Sequence, residues 1–205
     1  MSTKHVDIRQ HILETARPMI LGKGFTAVGL NEVLAAAAVP KGSFYHYFKS
    51  KEHFGETLLD TYFADYQAQM DDLLSAEGLN SAQRLMSYWT QWLNSQCGDS
   101  QDGKCLAVKL SAEVADISDA MRIALQRGTN RIIDSLANCI REGLADGSLD
   151  GRLDPYQVAQ TLYELWLGAT LLTKLRRDRS ALEGAMKATL QLLHLNLETS
   201  AGGKS

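Results

Sequence analysis

A proline corner between two short helical segments constrains this chain more than any other feature. Residues 29–37 are rich in alanine and leucine, and Ala38-Val39-Pro40 interrupts them. Proline fixes φ and has no amide donor, so it suits the first turn of a helix and breaks its interior. The spacing therefore predicts one helix over about residues 29–37, a tight corner, and a second helix opening at the proline. Within two turns that second helix carries Lys41, Gly42, Ser43, Tyr45, His46 and Tyr47. These supply donors, acceptors and flat rings of the kind that reach base edges and phosphates. The pattern is a helix-turn-helix; the plainer alternative is a helical hairpin with an aromatic core face.

Charge is distributed to match. The 205-residue chain has a formal net charge of −3, which taken whole disfavours a polyanionic partner. Residues 1–55 nevertheless hold seven Lys/Arg against four Asp/Glu, a net of +3, with four of the five histidines, while the remainder is −6. The basic end is the end with the corner. The opening Met-Ser-Thr-Lys-His has no apolar stretch, and the longest apolar run, residues 165–172, falls well short of the roughly 20 residues a membrane span needs. A cytoplasmic protein without membrane contact is expected. Three cysteines, Cys97, Cys105 and Cys139, are odd in number and unpaired in spacing, so neither a disulfide framework nor a zinc site is predicted. Phosphate-cradling glycine loops and His-Glu-x-x-His spacing are absent, no cofactor or metal is expected, and no histidine is well placed to serve Cys105 as a catalytic base. An enzyme is the weaker reading.

Helical periodicity recurs along the chain and predicts an all-α fold of about nine helices. Ile8, Ile12, Leu13, Ala16, Met19 and Ile20 mark a first helix, closed by Gly22 and Gly24. Ser50 caps a fourth helix whose stripe, Phe54, Leu58, Tyr62, Tyr66 and Leu73, runs out of the corner-bearing unit. Asn80 with Gln83, Asp154-Pro155 with Gln157, and Ser180 with Glu183 read as capping boxes at three later helix starts. The domain division expected is 1–55 for the helix-turn-helix unit, 56–200 for a helical sensing and self-association unit, and 201–205 for a disordered tail. Near the end, Val158, Leu162, Leu165, Trp166, Ala169 and Leu172 line one helix; Leu182, Met186, Leu190, Leu193 and Leu197 line the next. Periodicity alone leaves open whether these stripes face their own core or a second copy.

Among the cysteines, Cys139 lies beside Ile140 on an amphipathic helix and reads as a small buried hydrophobe. The role of Cys97 is left open. Cys105 follows Asp102-Gly103-Lys104 at a helix start, with Lys109 a turn further on, and both a helix N-terminus and a nearby ammonium lower a thiol pKa. From the residues alone an inert packing cysteine is the plainer reading.

The ordered run Gly24-Phe25, residues 35–38, Val39-Pro40-Lys41-Gly42, Ser43-Phe44-Tyr45-His46-Tyr47-Phe48 and Lys49-Ser50-Lys51-Glu52 resembles the TetR family of transcriptional repressors. Two positions depart from the family's pattern: Val28 and Gly29 stand where a Thr or Ser usually opens the first helix of the motif, and Ala38 replaces the usual turn glycine. The resemblance implies a homodimer on an inverted-repeat operator in double-stranded DNA, with Lys41, Ser43, Tyr45 and His46 near bases and Tyr47 and Lys51 on phosphates. It also implies self-association through the last two helices, with Leu162, Trp166, Leu182, Met186, Leu190 and Leu193 in the interface. The runs Cys105-Leu-Ala-Val-Lys-Leu-Ser-Ala-Glu-Val114 and Leu165-Trp-Leu-Gly-Ala169 are similar to the family's N-ethylmaleimide-repressor branch, in which the cysteine at this position senses reactive electrophiles and oxidants. That likeness implies a sensor at Cys105 and places Lys174 at a basic position associated with it; on the residues alone, Lys174 is a solvated helix-end lysine. The rival reading is a repressor that binds an intact small molecule, in a pocket lined by Trp89, Trp92, Met121 and Trp166.

Overall fold

The computed structural model describes residues 7–95 and 106–195. Among them are nine helices and no strand: α1 (Ile8–Lys23), α2 (Leu30–Ala36), α3 (Lys41–Tyr47), α4 (Lys51–Leu74), α5 (Ser81–Ser95), α6 (Leu106–Val114), α7 (Asp119–Ala145), α8 (Pro155–Arg176) and α9 (Ser180–Leu192). The all-α expectation holds. None of these helices is long and apolar enough to cross a membrane.

Contacts divide the chain into two compact units, with the boundaries after Ala64 inside α4 and after Gly128 inside α7. The first unit takes α1 to α3, α6 and the leading parts of α4 and α7. This differs from a simple division at residue 55, because α6 folds with the N-terminal helices although some 50 residues of chain separate them. The tail at 201–205 lies outside the described residues.

The first unit is built on one aromatic cluster. Phe44 and Phe48, both fully buried, meet Phe54 of α4 at ring-centroid distances of 5.6 and 5.1 Å, and Ile12, Leu13, Ala16 and Ile20 of α1 are buried in the same unit. Asp7 caps α1 by accepting from the amides of Arg9 and Gln10, and Ser50 caps α4 by accepting from the amide of His53 at 3.1 Å. Pro40 is the N-cap of α3 rather than a residue of its first turn.

In the second unit Trp89 stacks on Trp166 (4.9 Å, 19° between planes), and Trp92, Tyr88 and Tyr163 pack edge-on or tilted around them. The indoles of Trp92 and Trp166 donate to Thr170 and Thr189 at 3.0 and 2.9 Å, and Thr189 passes its own proton to the Ala185 carbonyl. Asn80 and Gln83 form the full reciprocal box, 3.0 and 2.9 Å. Asp154 accepts from the amides of Tyr156 and Gln157. The box expected at Ser180 does not form: Asp178 instead accepts from the amide and the hydroxyl of Ser180, at 2.9 and 2.6 Å. Asp178 takes the Ser180 amide that Glu183 would accept in a box, and Ser180 lies inside α9, whose N-cap is Arg179.

Candidate DNA-reading surface and signal-sensing helices

Helix α3 is short, and its two faces divide cleanly. Phe44 and the following Phe48 point into the core, so the helix cannot rotate without unburying two aromatic rings. Lys41, Gly42, Tyr45 and His46 are then left exposed, with Ser43 and Tyr47 half-buried at the margins. Tyr45 is 54% exposed. Gly42 faces empty space. The residues expected to read DNA thus share one outward face, all except Lys51.

Lys51 is held differently from the residues of α3. It is half-buried at the start of α4, its ammonium donates to the Val28 carbonyl at 2.8 Å, and it lies 5.0 Å from the centre of the Phe25 ring. A cation held by a carbonyl and an aromatic face is directed at its own chain. In the DNA-free chain it braces the α1–α2 connection.

The corner between α2 and α3 is a left-handed C-terminal cap. The Val39 amide reaches back to the Leu34 carbonyl at 3.0 Å and the Ala38 amide to the Ala35 carbonyl at 3.2 Å, with Ala38 at φ 53°. This pair of bonds is the Schellman arrangement, which ordinarily places glycine at the left-handed residue. At the other end, α2 opens at Gly29 without a side-chain cap. Its entry is set by the connection before it.

That connection is held by a residue that sequence reasoning missed. Glu113, near the end of α6, accepts from the amides of Phe25 (3.1 Å) and Thr26 (2.6 Å) and from the Thr26 hydroxyl. Partial burial works to raise the Glu113 pKa, but the hydrogen bonds from Thr26 and Phe25, with Lys109 nearby, outweigh it and hold the carboxyl below its usual range. Glu113 lay inside a run that carried the family likeness. Nothing local marked it, because its partners are 87 and 88 residues away.

Of the sensing candidates, Cys97 and Cys105 lie outside the described residues. Cys139 is buried, its thiol 3.6 Å from the Ser81 carbonyl, and burial, reinforced by Glu142, pushes its pKa up to about 12. It is the inert packing cysteine expected. Lys174 is exposed in the last turn of α8.

The four pocket candidates are divided between the two units. Trp89, Trp92 and Trp166 fill each other's space in the second unit, whereas Met121 is fully buried in the first, against Gly55 of α4. Trp89 alone keeps an indole N–H that is buried without a hydrogen-bond partner.

The interface candidates also separate. Leu162, Trp166, Leu182 and Leu193 are each no more than 1% exposed within a single copy, so they have no surface left to offer a second. They are core, as the stripe's other reading allowed; Met186 and Leu190 are half-buried. The exposed leucines of these helices are different ones: Leu171, Leu172 and Leu175 on α8 and Leu192 on α9.

Comparison with known proteins agrees with this geometry. Residues 12–56 match the family described as bacterial regulatory proteins, tetR family, and residues 81–189 match the tetracyclin repressor-like C-terminal domain. The chain is 43% identical over 184 residues to the HTH-type transcriptional repressor NemR of Escherichia coli strain K12, covering 90% of this chain and 92% of that one. It is 32% identical to the HTH-type transcriptional repressor DhaR of Mycobacterium sp. strain GP1, covering 91% and 92%. A crystal structure of E. coli NemR in its reduced form superposes with a TM-score of 0.87 at 40% identity, over 93% of this chain and 99% of that one. These relatives are transcriptional repressors rather than enzymes, and this chain belongs to the TetR family of helix-turn-helix transcriptional regulators.

Proposed function

We propose that this chain is a homodimeric cytoplasmic repressor that sits on an inverted-repeat operator through α3 and leaves it when Cys105 reacts with an electrophile or oxidant. The observation that carries the DNA half is the locked face of α3: two buried phenylalanines behind it and Lys41, Gly42, Ser43, Tyr45, His46 and Tyr47 in front. In a dimer the two copies of α3 enter successive major grooves, about 34–36 Å apart, with the side chains nearest the helix start reaching base edges.

The sensing half is supported by likeness, with one of the three cysteines set aside by its burial. The relative solved as a reduced form is 40% identical to this chain, and Cys139 is removed from contention by its burial. Cys105 then stands at the sequence edge of α6, beside Lys104 and one turn before Lys109. A thiolate there adds to an activated alkene, forming a C–S bond while the neighbouring carbon takes a proton from water. An oxidant such as a hypohalous acid takes it to a sulfenic acid instead, with Lys174 as the candidate amine to condense with it.

The Cys105→Ser protein should bind operator as the wild type does and stay bound after treatment with N-ethylmaleimide, read by fluorescence anisotropy with intact-mass spectrometry; Cys97→Ser and Cys139→Ser should still be released. Release of the Cys105→Ser protein would sink the thiol mechanism. The unpartnered indole of Trp89 then supports the second reading, an intact ligand that brings an acceptor to that N–H.

A further inference from the structure

We infer that Glu113 is the positioning residue through which α6 sets the DNA-reading pair, by holding the backbone of the α1–α2 connection. The inference deepens the reading above and rests on it for the signal that moves α6.

The clamp is built from both sides. One carboxylate oxygen takes the Phe25 amide, and the other takes the amide and hydroxyl of Thr26. Gly24 completes the seat: a Cβ there would stand 2.7 Å from the Glu113 carboxylate, and its φ of 94° is one that side chains rarely adopt. Three consecutive residues thus wrap a carboxylate delivered by another helix. Two residues beyond Thr26, the Val28 carbonyl receives Lys51, and at Gly29 the uncapped α2 begins. With no cap of its own, α2 takes its starting position from a connection pinned at one end by α6 and at the other by α4.

Helix α6 can transmit a displacement because it is anchored along one side only. Leu106, Ala107, Leu110 and Val114 are buried, while Ser111 and Ala112 are exposed and Glu113 lies at the margin. Leu106, its first residue, follows Cys105 directly in the sequence. Hydrogen bonds weaken steeply with misalignment, so a shift or rotation of α6 by about an ångström exchanges three charge-assisted bonds for water. The connection then loosens, and with it the angle of α2 and α3. Such a device couples two sites through differential contacts in two arrangements, as an allosteric claim requires.

Glu113→Ala, Glu113→Gln and Thr26→Val are to be compared with wild type and with Asp116→Ala, an exposed carboxylate on the next turn, as control. The first measurement is operator affinity before and after N-ethylmaleimide. Wild type and Asp116→Ala should lose affinity tens-fold, in the usual 5- to 150-fold range for allosteric coupling. Glu113→Ala should lose less than about 3-fold, with Glu113→Gln and Thr26→Val in between. The second is hydrogen exchange of residues 106–114 with and without operator. Binding reciprocity requires that DNA slow exchange there in the wild type, and the effect should vanish in Glu113→Ala.

If Glu113→Ala is released by the same factor as wild type and its α6 still responds to DNA, the clamp is not the coupling element. Absence of the DNA effect in the wild type overturns it equally. If the wild type ignores the reagent, the sensor reading fails and the exchange measurement alone decides the clamp. Should Glu113→Ala not fold, judged by circular dichroism, Thr26→Val carries both measurements.

Discussion

Ala38 occupies a backbone position that an L-residue enters at a cost. Its φ of 53° brings Cβ toward the following carbonyl, a penalty of roughly 1–2 kcal/mol. Glycine removes that penalty but adds about 0.5–1 kcal/mol of unfolded-state entropy, so the net gain from Ala38→Gly is of order 0.5–1 kcal/mol. Thermal melting should rise by about 1–4 °C for a chain of this size, and Ala38→Val should lower it, since a β-branched side chain tolerates the left-handed region least. A fall in Tm for Ala38→Gly would mean that the corner stores no strain. This position was legible in the sequence: the departure from the turn glycine was visible, and the structure supplies its consequence. Lys51 was legible only as a charge. Its 2.8 Å bond to Val28 and its place over Phe25 bind residues more than 20 positions apart, a pairing that no local pattern encodes.

At the scale of elements, glycines set how closely α4 and α7 can approach in the first unit. A Cβ on Gly128 would overlap the ring of Phe63, and one on Gly55 would stand 2.5 Å from the Met121 sulfur and 2.7 Å from the Phe25 ring. The two sites differ in tolerance. Met121 ends in a flexible thioether that can turn aside, whereas Phe63 is a buried ring wedged between helices. Gly128→Ala should therefore cost about 1–3 kcal/mol as an overpacked core, and Gly128→Ala with Phe63→Leu should recover most of it. The double-mutant cycle checks this: strict additivity would show that the helices relax apart without contact between the two groups. The caps at Ser50, Asn80 and Asp154 could be read directly, because capping is local chemistry. The failure at Ser180 has a local cause too, since Asp178 takes the Ser180 amide proton that Glu183 would need. The membership of α6 in the first unit could not be read, because it depends on Glu113 meeting residues 87 and 88 positions away.

Among the described residues, the last two helices carry a set of exposed leucines. Leu175 is 71% exposed and Leu171 49%, with Leu172 and Leu192 also exposed, and Gly168 and Gly184 offer open space on the same two helices. The hydrophobic stripes of α8 and α9 were visible in the sequence. Which side of each helix faced inward was not, since a stripe's period is the same whichever body covers it. The buried side proves to be Leu162, Trp166, Leu182 and Leu193, and the self-contact is therefore expected on the side carrying Leu171, Leu175 and Leu192. A two-fold contact pairs such a surface with itself, and small residues let the helices approach closely. Leu175→Glu tests this with little risk to the fold, because the side chain is already largely in solvent in one copy. In a dimer it would bury a carboxylate without a partner, at several kcal/mol; about 3 kcal/mol alone weakens association on the order of 100-fold. Sedimentation should give a monomer with unchanged helical circular dichroism, and operator binding should shift to much higher protein concentration, because half an inverted repeat is all that a single copy can grip. A Leu175→Glu protein that sediments as a dimer and binds operator at wild-type concentration would move the self-contact off this face.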